Sequence, residues 1–328
     1  MEYVDITEKQ LTRRQHYVPK AYLKYFSVDE QKTPYVYAVF PNGKEPQKVS
    51  IEKICCSSYL YDQIAIDPDT GAQIFAAPNE LENMFNPVES KYAVIVSKLK
   101  ADLREKNDFE LTAQEIEVLK GFLSLQLWRN PIFVHISNCI VDRLYAQDPD
   151  YMEYIKNEFP DEQSNVMIAH LANESLKKFL LLSTVAMADT MDESHFCVFR
   201  TQDSLFVTSD MPVVNIYGEE QGIQYDLVGM PITPELFAAF IDAECDIPKV
   251  LSIDSRSVRR INRRQQKPKS TLISNRKELL SYIDSSHDYG KEDEDDEAQF
   301  MQLLGADKEM VLKQYREIMN SERIKYWE

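Results

Sequence analysis

Between Asn79 and Ala188 the chain carries apolar residues at helical spacing, and on both sides of that block it turns to short β-branched and aromatic runs. A helical centre enclosed by strand-forming segments far apart in sequence narrows the fold sharply, because the outer strands must come together beside the helices. Leu81, Met84, Phe85, Val88, Tyr92, Ile95, Val96 and Leu99 repeat at helical intervals, with Pro87 marking a kink or restart. Thr112 and Glu115 form a capping box, and the helix they open carries Ile116, Leu119, Phe122, Leu123, Leu125, Leu127 and Trp128 up to Pro131. Further helices are expected from Ile132 to about Tyr145, at about 150–158 and at 163–188.

Strands are expected at Pro34–Phe40, Lys48–Ile51 and Ser58–Tyr61 before the block. After it they are expected at His195–Phe199, Leu205–Thr208, Pro212–Tyr217, Gly229–Pro234, Leu236–Ile241 and Ser270–Ser274. A helix is expected from Ser255 to about Arg264. The pattern predicts an α+β fold, a central helical block packed on a mostly antiparallel sheet formed by N-terminal and C-terminal strands. Residues 1–284 read as one domain, and 285–328 as an acidic linker with a helix at about 307–325.

No stretch approaches the roughly 20 apolar residues that span a bilayer, and the start lacks the basic and apolar regions of a signal peptide, so the expectation is a cytoplasmic protein with no membrane partner. Five cysteines without a C-x-x-C pair speak against a disulfide framework or a zinc site. The net charge of -17 repels polyanions at long range. Its distribution is uneven. From Arg256 to Lys277 the chain has many basic residues and no acidic one, whereas Glu292–Glu297 is a solid acidic run.

Four segments carry the sharpest motifs. They are His16-Tyr17-Val18-Pro19 with Tyr22, Leu23 and Phe26; Gln126-Leu127-Trp128-Arg129-Asn130-Pro131; Phe206-Val207-Thr208-Ser209-Asp210-Met211-Pro212-Val213 with Pro231–Pro234; and Asn262 in Ile261–Gln265. Together, over roughly Arg13 to Ile283, they resemble an uncharacterised bacterial family with a His-Tyr-Val-Pro motif, the domain of unknown function 4238 family. Met211 departs from the asparagine frequent there. The resemblance implies no established reaction. The defence-like gene neighbourhoods of such proteins imply a nucleic-acid or nucleotide target by analogy.

The candidate catalytic residues are His16 as acid or base, Arg129 as phosphate clamp, and Gln126 and Asp210 lining the same cleft. Gln126 and Arg129, three apart, share a helix face. Each has a competing structural role: a histidine bonded to backbone, an arginine paired with Asp210 or Glu89, an aspartate closing an Asx-turn. Arg13, Arg14 and Lys20 beside His16, and Arg259, Arg260, Arg263 and Arg264 on the helix stripe, are the candidate phosphate contacts. Arg129-Asn130 followed by His135 also resembles the motif of the metal-independent HEPN ribonucleases. A divalent metal stays open as a cofactor, although Glu80, Glu82 and Glu89 do not all share one face.

Three functions are therefore carried forward. One is a hydrolase of nucleic acid or nucleotides, a nuclease effector in bacterial defence. The second is a non-catalytic sensor or adaptor that binds a partner through the basic stripe or acidic tail. The third is a HEPN-like ribonuclease using Arg129 and His135. RNA, DNA, a nucleotide, a second copy of the chain, or a protein bound through the C-terminal segment are the partners these readings invoke.

Overall fold

A computed structural model describes residues 11–28, 34–41, 43, 45–67, 69–141, 153, 157, 161–202, 205–220, 223–266 and 270–284. The expected helix at about 150–158 lies mostly outside these residues. Lys267, Lys269, the acidic run at 292–297 and the helix at 307–325 lie wholly outside them.

The fold is α+β, with its strands mostly antiparallel. Strands β7 (Ser194–Arg200), β9 (Val214–Glu220), β10 (Ile223–Thr233), β11 (Leu236–Asp242) and β12 (Val250–Ser252) form a sheet in the order β12-β7-β11-β10-β9, with β12–β7 parallel. A second sheet joins the two ends of the chain. Strands β2 (Tyr35–Val39) and β3 (Gln47–Ser50) pair there with β13 (Leu272–Ser274) and β8 (Thr208–Ser209), in the order β3-β2-β13-β8. Shorter pairs link β1 (Arg14–His16) to β4 (Cys56–Ser58) and β5 (Ile64–Ile66) to β6 (Gln73–Phe75).

The five-stranded sheet is apolar on both faces. On β11, Leu236, Ala238 and Phe240 join one core cluster, while Phe237, Ala239 and Ile241 join another. Alternate residues of a strand point to opposite faces, so this unbroken apolar run is what a sheet covered on both sides requires. Helices α2 (Glu80–Glu105) and α3 (Ala113–Trp128) contribute Tyr92, Ile95, Leu119 and Phe122 to the first cluster. Helix α6 (Ser255–Arg264) contributes Val258 and Ile261 to the second. Gly229 sits where β10 pairs with β11, opposite Ala239, and a Cβ there would lie 2.4 Å from the Ala238 carbonyl oxygen, so any side chain would force the strands apart.

The capping box forms as expected, with the Thr112 hydroxyl accepting from the Glu115 N–H and the Glu115 carboxylate accepting from the Thr112 N–H. Helix α2 runs unbroken through Pro87. Leu81 and Phe85, ahead of the proline, pack with α4 (Pro131–Val141) and α5 (Asp161–Asp189), whereas Tyr92, Val96 and Leu99 beyond it pack in the main core. Burial at both ends outweighs the one lost backbone bond. The Tyr92 and Phe122 rings stack at 3.6 Å and fix α2 against α3.

Helix α6 is tied to the second sheet by amide side chains. The Asn262 amide accepts from the Val207 N–H at 3.0 Å and donates to the Leu205 carbonyl at 2.9 Å, as a neighbouring strand would. One turn on, Gln265 accepts from the Ser209 hydroxyl and donates to the Pro212 carbonyl. Two sequence motifs are thus halves of one clamp. Asn262→Ala should lower stability by about 2–3 kcal/mol in urea unfolding, because two buried backbone groups lose their partners.

Candidate functional site

The N-terminal motif is held by its backbone as much as by its side chains. In β1, Gln15 accepts from the Tyr61 N–H and donates to Asp62, each at 2.7 Å, and Asp62 in turn accepts from the Asn79 N–H. The Tyr17 N–H donates to the Cys55 carbonyl at 3.0 Å. Pro19 precedes α1 (Lys20–Leu23), and its carbonyl accepts from the Tyr22 and Leu23 N–H groups. The buried Tyr22 hydroxyl reaches both Thr208 and the Pro231 carbonyl. The motif therefore touches both sheets and the helical block.

Arg129 lies at the C-terminal end of α3 and is 1 % exposed. Its Nη1 donates to Glu89 at 2.6 Å, its Nε to the Tyr61 hydroxyl at 3.3 Å, and its Nη2 to the His16 carbonyl. The Tyr61 hydroxyl donates back to the Arg129 carbonyl at 2.8 Å. The guanidinium also lies over the Phe85 ring at 4.4 Å, a cation–π contact inside the protein. Burial opposes its charge, yet the contacts with Tyr61 and Glu89 outweigh that penalty, and its pKa moves up.

His16 is buried, and its Nε2 donates to the Ile51 carbonyl at 3.1 Å. Desolvation lowers its pKa, against the raising effect of that bond, so the neutral ring is favoured. His16 meets Arg129 through its main chain, not its imidazole. Glu82 completes the cluster from α2, two turns ahead of Glu89, and accepts a hydrogen bond from the His16 N–H. Burial pushes the Glu82 carboxyl up to about 7 despite the attraction of Arg129, and its Oε2 has no partner among the described residues.

The other candidates are placed differently. Gln126, 2 % exposed, sits one turn before Arg129 with neither amide atom partnered among the described residues. Asp210 follows β8, donates its N–H to Thr271, and stands near Tyr17 and Cys55, whose pKa values it helps to raise. His135 is exposed on α4 while Arg129 is buried. Lys20 is exposed and pairs with Glu52 at 3.1 Å, and Arg13 and Arg14 are exposed. Among the described residues, no group of three or more His, Cys, Asp or Glu side chains is placed to hold a metal ion. No described helix is long and apolar enough to cross a membrane.

On α6, Arg256, Arg259, Arg263 and Arg264 are exposed and Arg260 is half-buried. Arg256 lies near Asp254, the helix N-cap. Arg259, Arg263 and Arg264 form no salt bridge with any described carboxylate. Offsets of three, four, seven and eight residues from Arg256 confine the five guanidinium groups to one side of the helix, opposite Val258 and Ile261. Sequence reasoning found this stripe but missed the roles of Tyr61 and Gln15, whose partners lie more than forty residues away along the chain.

A family model described as a protein of unknown function (DUF4238) matches residues 14–278. The chain belongs to that family. No curated protein and no solved structure matches it.

Two predictions concern the cluster. Arg129→Ala should cost about 3–5 kcal/mol of stability, because it strands Glu89 in a largely buried site; the milder Arg129→Lys keeps the charge and should cost less in the same unfolding titration. Glu82 is protonated more readily in the folded state than at the ordinary 4.5. Its favourable contribution is therefore complete below that value and is lost as pH rises through about 7. Glu82→Gln should raise the melting temperature relative to the parent chain at a pH of about 8 and lose that advantage at about 5.

Proposed function

We propose that this member of the DUF4238 family is a sensor or adaptor that binds nucleic acid through the arginine face of α6, while the His16–Arg129 cluster holds the fold together. One observation carries the reading: exposed arginines line one side of a helix whose other side is buried and clamped by Asn262 and Gln265. The contrast with Arg129 is instructive. Three of the five N–H groups of that guanidinium bind protein atoms, which leaves it a cross-link rather than a ligand clamp. Arg259, Arg263 and Arg264 have no such ties.

The stripe runs for about 12 Å along the helix, the length of three to four nucleotides at about 3.4 Å each on one strand. Guanidinium groups suit phosphate oxygens, and contacts of this kind recognise the backbone without reading sequence. The overall charge of -17 opposes approach from a distance. Screening limits that repulsion to about 8–10 Å at physiological salt, so at contact the local stripe decides.

Glu82 favours a second reading, the hydrolase. A carboxyl that titrates at about 7 with one unpartnered oxygen, beside Arg129, has the properties of a general acid or base. In that reading Glu82 carries the proton and His16 positions it through its N–H.

Fluorescence anisotropy with labelled RNA, single-stranded DNA and duplex DNA separates these readings. The parent chain should bind with an affinity that falls as salt rises. Arg259→Glu/Arg263→Glu should abolish tight binding, and Arg259→Gln/Arg263→Gln should reduce the slope of log affinity against log salt by about 2. Unchanged binding by the charge-reversed chain, with its fold intact, overturns the proposal. Cleavage of the probe that disappears in Glu82→Gln, with melting temperature retained, establishes the hydrolase instead.

A further inference from the structure

The arginine face of α6 has an occupant available within the same chain. We infer that the acidic run Glu292–Glu297 docks on this face when no nucleic acid is bound, and so competes with it in cis. The inference rests on the nucleic-acid reading above and adds its regulation.

Charge complementarity is the first support. The run offers six consecutive carboxylates to a stripe of five arginines, and no basic residue interrupts it. Arg259, Arg263 and Arg264 have no carboxylate partner among the described residues. A block of like charges repels itself unless a cationic surface receives it.

Reach is the second support. Helix α7 (Lys277–Asp284) is the last described element before the run, and it shares a core cluster with a residue that α6 holds. Leu280 of α7 packs in one cluster with Val39, Val207 and Leu272. The Val207 N–H is the group that Asn262 of α6 holds. Val207 thus belongs both to the cluster of α7 and to the clamp of α6. Seven residues, 285–291, separate Asp284 from Glu292, and they can extend for up to about 25 Å. A tether of that length that spans the gap gives the acidic run an effective concentration on the order of millimolar at the stripe.

Specificity follows from the same geometry. A strongly binding polyanion displaces the run by presenting more phosphates than the run has carboxylates. A weak or short anion does not. The tail therefore raises the threshold of affinity or length at which the arginine face responds.

Two measurements test this on the full chain. The first exchanges Arg259 and Arg263 for lysine (Arg259→Lys/Arg263→Lys) and applies a zero-length carbodiimide reagent at low ionic strength. Mass spectrometry should find positions 259 or 263 linked to carboxylates within 292–297, and the link should vanish at high salt. The second neutralises the run with Glu292→Gln, Asp293→Asn, Glu294→Gln, Asp295→Asn, Asp296→Asn and Glu297→Gln. Affinity for labelled RNA should rise about tenfold. A control neutralises Asp69, Glu105, Glu110, Glu193, Glu244 and Asp246, all exposed elsewhere, and should change affinity far less.

Absence of the cross-link overturns the inference, as does an equal rise in the control, which reports net charge alone. If either occurs while Arg259→Glu/Arg263→Glu still abolishes RNA binding, the nucleic-acid reading stands without its regulation. If the cross-link forms but neither chain binds nucleic acid, the tail contact stands and the nucleic-acid reading fails.

Discussion

The buried guanidinium of Arg129 is the contact on which the rest of the structure depends. It ties the end of α3 to α2 through Glu89, to the segment after β4 through Tyr61, and to the N-terminal strand through the His16 carbonyl. Removing a charge from water is costly, and Arg129 is 1 % exposed. The cost is tolerable only because an anion, a hydroxyl, a carbonyl and an aromatic face all receive it. Such a site accepts one arrangement of its neighbours and rejects others. The N-terminal segment, which would otherwise fray, is fixed by that demand.

The same demand explains why Glu82 is unusual. Two carboxylates on one side of α2 approach one guanidinium, and only Glu89 makes the direct ion pair. Glu82 is left with a backbone N–H and a partly desolvated position, which moves its proton affinity to about neutral pH. A group in that state can serve chemistry or merely tune stability, and the difference lies in whether a substrate reaches its free oxygen. The arginines of α6 present the opposite electrostatic situation. Arg259, Arg263 and Arg264 are exposed and form no salt bridge with a described carboxylate, and the amide clamp beneath them holds the short helix in place.

Much of the fold could be read from residue patterns. The alternation on β11, the capping box at Thr112 and Glu115, and the amphipathic spacing of α6 all encode their elements locally, because each depends on neighbours within one or two turns or a few strand positions. The failures have equally specific causes. Arg14 and His16 read only as candidate site residues, yet they lie in a strand, because β4 offers it a pairing edge some forty residues later. Pro87 reads as a kink or a restart, and α2 runs on through it without restarting, because separate cores bury the residues on either side. The candidate site shows the same division. His16, Gln126 and Arg129 were recognisable as residue types that carry chemistry, and Asp210 and Glu89 as alternative partners for the arginine, of which the structure selects Glu89. That the His16 carbonyl, not its ring, would receive Arg129 could not be read from spacing.

By itself the sequence determined the fold class, the family, the buried stripe of each major helix and the cationic face of α6. These follow from periodicity and charge order, which are properties of the chain alone. The tertiary structure decided which arginines are spent inside the protein and which remain on its surface. It also decided which carboxylate pairs with Arg129 and which is left to titrate near neutral pH. Those outcomes depend on desolvation and on the distances between groups far apart in sequence, and both come into being only when the segments pack together.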